Sequence, residues 1–150
     1  MIRVFLAIVT LIGTVTVAAA CPTWEMDGVQ GHETDGATLY SPQNFDVIAG
    51  GDQSLAECGL DAVGYVITQP DFEFNIAGMD NYTSLMVSVE ADCDAVLLIN
   101  DAVNNILYND DTNGTDPAIE ITDPANGIYD IWVGTFDGNA CEAVLTLESF

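Results

Sequence analysis

Oxygen-bearing side chains crowd residues 109–120, NDDTNGTDPAIE, at a spacing that invites a cation. Asn109, Asp111 and Asn113 stand at the first, third and fifth places, Gly114 at the sixth and Glu120 at the twelfth, close to the pattern of an EF-hand calcium loop. An EF-hand also needs a helix on each side to fix the entry and exit of the loop. Here the flanks AVLLIN, ILY and AIEI read as strands, position one is Asn instead of Asp, and position nine is Pro117. The EF-hand is rejected; the metal is not. Asp110, Asp111, Asn113 and Asp116 fall within seven residues with no basic neighbour, and hard oxygen donors in a turn suit Ca²⁺. Asp92, Asp94 and Asp101 would add carboxylates if their loops lie at the same end of the molecule. The affinity expected of such a site is no better than about 10⁻⁴ to 10⁻³ M. The competing reading is an Asx-rich turn whose side chains cap their own backbone.

Catalytic constellations are harder to find. A Ser or Cys nucleophile needs a base within reach, and His32, in a polar stretch without period, is the only imidazole. There is no G-x-S-x-G, no Lys for Schiff-base chemistry and no phosphate-cradling loop. Carboxylate pairs are abundant but nonspecific, and a glycosidase would need a larger cleft. The four cysteines hold no C-x-x-C pair and there is one His, which argues against zinc.

Charge excludes further classes. The formal net charge is -23; all 24 Asp and Glu follow residue 20, and the single Lys or Arg is Arg3. Nothing after the first residues can neutralise phosphates, so nucleic acid is excluded and an anionic membrane surface is disfavoured. No carboxylate can pair with Lys or Arg, so cations from solvent must provide the screening. With 49% hydrophobic residues and 9% aromatics, the chain still carries enough apolar material to fold as one domain.

Residues 1–20, MIRVFLAIVTLIGTVTVAAA, read as a secretory signal peptide: one basic residue, an uncharged apolar run short for a membrane span, and an A-x-A end. The mature chain would begin at Cys21 and be exported to the periplasm or medium. A lipoprotein with Cys21 acylated is the alternative, and would be the one route to a membrane. Cys21, Cys58, Cys93 and Cys141 allow three pairings in an exported chain. Cys21 with Cys58 and Cys93 with Cys141 is the favoured one, an N-terminal clip and a C-terminal one.

The elements that must position these residues are short strands. Residues 21–36 are polar, Gly-rich and aperiodic, and read as loosely ordered. DFEFNI puts Phe72, Phe74 and Ile76 on one side and Glu73 and Asn75 on the other; SLMVSVE does the same with Leu85, Val87 and Val89. AVLLIN is apolar on both faces, as a central strand is. GIYDIWVGTF points Tyr129, Ile131 and Val133 inward, which sends Trp132 and Phe136 to the other face. That face is a ligand surface for sugar stacking or protein docking unless a second layer covers it. AIEI and AVLTLES complete the set, with turn signals NDDTNG, DPANG and DGN between. Ser54 to Leu60 has room for one helical turn. About seven strands so punctuated make an all-β antiparallel β-sandwich or jelly roll.

In order and spacing, AVLLIND, NDDTNGTDPAI, NGIYDIWVGTF and AVLTLESF resemble the bacterial pre-peptidase C-terminal domain, a calcium-associated jelly-roll module often appended to secreted proteases. The resemblance covers residues 72–150, most specifically the Asp-rich turn before DPAI and the GxYxIWVGTF strand; LYSPQNFDVIAGG and GYVITQPDF look like an extension of the same sandwich. It implies calcium, a bacterial source and a non-catalytic role, any peptidase activity belonging to a neighbouring domain of relatives. This chain departs by following its own signal peptide and standing alone. The expectation is an exported, acidic, disulfide-stapled, non-catalytic module that binds or stabilises, its partner a protein or carbohydrate and its cofactor calcium. A purely structural envelope protein is the alternative, and a hydrolase dependent on His32 the weaker one.

Overall fold

In a computed structural model the described residues are 21–150; the signal peptide expected at residues 1–20 lies outside them. Two sheets face each other as a β-sandwich. The first holds β1 (Gln30–Asp35), β3 (Gln53–Ser54), β4 (Tyr65–Val66), β5 (Phe72–Ala77), β7 (Ala95–Asn100), β8 (Ile106–Asn109) and β10 (Gly127–Thr135). The second, in the order β2-β11-β6-β9, holds β2 (Gln43–Ala49), β6 (Ser84–Ala91), β9 (Ala118–Thr122) and β11 (Cys141–Ser149).

The period of two explains the core. Phe72, Phe74 and Ile76 from β5, Tyr129, Ile131 and Val133 from β10, and Leu97 and Ile99 from β7 meet Leu85, Val87 and Val89 of β6 and Leu145 and Leu147 of β11 in one buried cluster. Each such side chain contributes about 1.5–3 kcal/mol by leaving water. β10 is the hub, because its first half pairs with β5, its last residue with β4, and Asp130 to Thr135 with β7 on its other side.

The opposite face of β10 carries a second, smaller cluster. Leu55, Val66, Val96, Leu98 and Trp132 are buried together beneath the segment holding β3 and β4. The approach is close: a Cβ on Gly134 would stand 2.2 Å from the Tyr65 carbonyl oxygen, so only glycine fits under β4.

Three expectations change. Residues 21–36 are not loosely ordered throughout: β1 runs parallel to β5 over six paired positions, His32 facing Phe74, and α1 (Gly36–Leu39) follows. The parallel ladder holds this stretch, and Asp35 caps α1 by accepting the Thr38 N–H at 2.7 Å. β1 escapes a period-two reading because the residues it turns inward, His32 and Thr34, are themselves polar. The sheets are thus antiparallel except for this pair. Among the described residues there are eleven strands instead of seven, the additions including two-residue β3 and β4, and residues 55–59 form a turn.

Cys21 is bonded to Cys58 and Cys93 to Cys141, with Cα–Cα separations of 5.6 and 6.2 Å. The Cys21 sulfur is therefore committed to Cys58, which leaves none for a thioether-linked lipid. No helix among the described residues is long and apolar enough to cross a membrane.

Candidate functional site

The Asp-rich turn joins β8 to β9 and is closed largely by its own hydrogen bonds. Asn109 Oδ1 accepts from Thr112 Oγ1 at 2.7 Å and from Ala118 N–H at 3.1 Å. Thr112 and Asn113 N–H both donate to the Asp116 carbonyl. Asp116 Oδ1 accepts the Ala91 N–H at 3.2 Å, tying the turn to β6. Two of the oxygens that a cation would want are thus already engaged, Asn109 Oδ1 within the turn and Asp116 Oδ1 on β6.

Asp110, Asp111 and Asn113 remain available, and the turn brings the first two toward Asp94. The exposed Asp94 carboxyl is held above its ordinary range by local desolvation and then by the charges of Asp111, Asp110 and Asp137. Asp137 itself moves the other way, because Asn139 donates to it from its N–H at 2.9 Å and its amide group at 2.7 Å. Among the described residues there is no group of three or more His, Cys, Asp or Glu side chains arranged to hold a metal ion.

Asp101 does not join this end. It lies beyond the far terminus of β7, about 20 Å away at the rise of a strand. There Asp101 Oδ1 accepts from Val103 and Asn105 N–H at 3.0 and 2.8 Å and caps the β7–β8 loop. Asp92, two residues before Asp94, also lines a groove beside β2.

The aromatic ligand surface is corrected. Trp132 is 1% exposed, sealed in the second cluster, whereas Phe136 is 49% exposed and alone. The period placed Trp132 on the correct face, but the β3–β4 segment roofs that face. His32 is likewise no free base: its ring stacks on Phe74 at 5.0 Å and meets Phe45 at 4.7 Å, and its Nε2 is buried without a protein partner.

One concave feature among the described residues is not visible to strand-by-strand reading. An open groove of about 1070 Å³ runs beside β2, the edge strand of the second sheet, and across the outward residues of β11 and β6. The register sets its rows: Glu142 faces Ile48, while Asp46, Val144 and Glu90 lie side by side across three strands. Asp92 and Asp71 line it as well. Asp71 is 6% exposed, and its Oδ2 accepts the Val133 N–H at 2.8 Å. Burial pushes its carboxyl up to about 7 against the lowering effect of that hydrogen bond.

Comparison with known proteins gives little beyond shape. No family model matches the chain, and no curated protein matches it. It is similar to a crystal structure from Aeromonas hydrophila, PliG, a periplasmic lysozyme inhibitor of g-type lysozyme, with a TM-score of 0.47 and 12% sequence identity, covering 83% of this chain and 100% of that one.

Proposed function

We propose that this chain is an exported, non-catalytic β-sandwich module that acts by binding a partner. The groove beside β2 carries the reading: a wide, open concavity lined by side chains from β2, β6 and β11, none of which is a nucleophile paired with a base. The lone imidazole is packed between phenyl rings with its Nε2 unpartnered, and no free thiol is present, which supports a binding role over a hydrolytic one. Two disulfides fit an oxidising compartment and the signal-like leader.

The test pairs binding with turnover. The mature, oxidised chain is screened against a glycan array and a panel of purified secreted proteins at physiological salt, beside chromogenic ester, peptide and glycoside substrates. Saturable binding without turnover is expected. Turnover abolished by His32→Ala, or neither binding nor turnover across the panel, would sink the proposal in favour of the hydrolase or the purely structural protein.

A second reading, calcium-linked stability as in the pre-peptidase C-terminal family, is favoured by one observation: Asp110, Asp111 and Asp137 all bear on Asp94 with no cation of the chain among them. In that reading these carboxylates and Asn113 would take the ion.

A further inference from the structure

The groove beside β2 is more acidic than the rest of an acidic chain. Five of its fifteen lining residues are carboxylates, Asp46, Asp71, Glu90, Asp92 and Glu142, a third of the lining, whereas 24 of the 130 residues after position 20 are Asp or Glu. No Lys or Arg follows Arg3, so no side chain of the folded domain can neutralise them.

Chemistry and spacing narrow the occupant. The lining also holds Val29, Ile48, Ile67 and Val144, and the register sets Val144 between Asp46 and Glu90 and Ile48 opposite Glu142. Asp46 and Glu90 flank Val144 across the sheet, two strand spacings or about 10 Å apart. This pattern suits Lys and Arg, whose alkyl stems lie along apolar surface while their heads reach carboxylates. β2 is an edge strand, and its Asp46 carbonyl accepts the Gln30 amide group at 3.3 Å. An extended segment presenting every second side chain could therefore lie along it. Asp71 also lines the groove, 6% exposed, with its Oδ2 held by the Val133 N–H.

We infer that the groove is the docking site for an extended, lysine- or arginine-bearing segment of a partner protein. The inference rests on the binding reading above and names its surface and the charge of its partner. The cationic side chains would lie between Asp46 and Glu90 and beside Glu142, with their stems on Val144 and Ile48.

The experiment uses the mature, disulfide-bonded chain and a labelled decapeptide in which Lys alternates with Thr, followed by fluorescence anisotropy and by amide chemical shifts. A groove variant, Asp46→Asn with Glu90→Gln and Glu142→Gln, is set against a control with the same net charge, Glu25→Gln with Glu57→Gln and Asp123→Asn, all at exposed positions away from the groove. At least tenfold weaker binding in the groove variant, less than threefold in the control, and shifts concentrated on β2, β6 and β11 are expected. Equal losses in both variants would mean a diffuse field and overturn the inference, as would shifts elsewhere. Spermine or Ca²⁺ moving the same amides at equal or lower concentration would assign the groove to small cations and overturn the protein partner. No peptide binding at 20 mM salt would also overturn the inference, while a saturable ligand from the array binding elsewhere on the chain would leave the broader binding role standing.

Discussion

Asp71 should make the folded state proton-dependent in a range where ordinary carboxylates have finished titrating. It stands just before β5, where β10 passes from pairing with β5 to pairing with β4. In that gap the Val133 N–H goes to Asp71 Oδ2 and the Val133 carbonyl to the Gly50 N–H at 3.1 Å, so a side chain and a loop complete the ladder. The carboxyl titrates near 3.8 in the unfolded chain and near 7 when folded, raised chiefly by burial. Between those values the folded state holds one more proton than the unfolded state, so stability falls as pH rises, by about 1.4 kcal/mol per unit. The stabilisation is complete below pH 3.8 and lost by the time pH has passed 7. Over about three units the loss is of order 4 kcal/mol.

Asp71→Asn removes the charge and keeps a carbonyl oxygen for the Val133 N–H. Urea unfolding from pH 4 to 8.5, with disulfides intact, would compare the two proteins. Asp94 and Asp130 are raised too, Asp130 mainly by burial and then by Glu73, and general repulsion has the same sign. The informative quantity is therefore the difference between variant and wild type. It should be small at pH 4 and grow to as much as about 4 kcal/mol in favour of the variant at pH 8, a rise in Tm of about 10 °C or more. A difference that stays constant from pH 4.5 to 8 would refute the argument, since Asp71 would then titrate alike in both states.

Trp132→Ala should cost about 3–5 kcal/mol by opening a cavity under the β3–β4 segment, and a loss below about 1 kcal/mol in urea unfolding would contradict its burial. Replacing Cys93 and Cys141 together by Ser should cost about 4 kcal/mol on the chain-entropy model, given a sequence separation of 48, while leaving the far-UV circular dichroism of the folded protein unchanged. Millimolar Ca²⁺ should raise Tm more than Mg²⁺ at equal ionic strength, and Asp111→Ala should abolish the difference; equal responses to the two ions would reduce the effect to screening and discard the calcium reading.

The strands that could be read from the sequence are those whose inward residues are apolar. β5, β6 and β11 alternate cleanly, and β7 is apolar on both faces because both are covered. β1 could not be read so, since His32 and Thr34 turn inward from a polar segment and its partner lies forty residues on, in parallel. Trp132 shows where a correct period stops short. Its face was assigned correctly, but exposure depends on a segment seventy residues earlier folding over it. A usable signal was present in β7: Val96 and Leu98 lie on that same outer face, and two such residues on a strand buried on both sides already require a roof.

The Asp-rich turn drew attention because its carboxylates are adjacent in sequence, yet Asn109 spends its oxygen inside the turn and Asp116 spends one of its own on the Ala91 N–H of β6. The groove has the opposite character. Asp46, Glu90 and Glu142 are scattered through the chain, each an unremarked polar residue on an alternating strand, and only the β2-β11-β6 order sets them in adjacent rows. Carboxylates set by three paired strands keep the spacing of the sheet, about 5 Å from one strand to the next, where those of a turn move with it. With no Lys or Arg in the folded domain, a cationic segment laid along those rows meets no competing Lys or Arg of the chain itself.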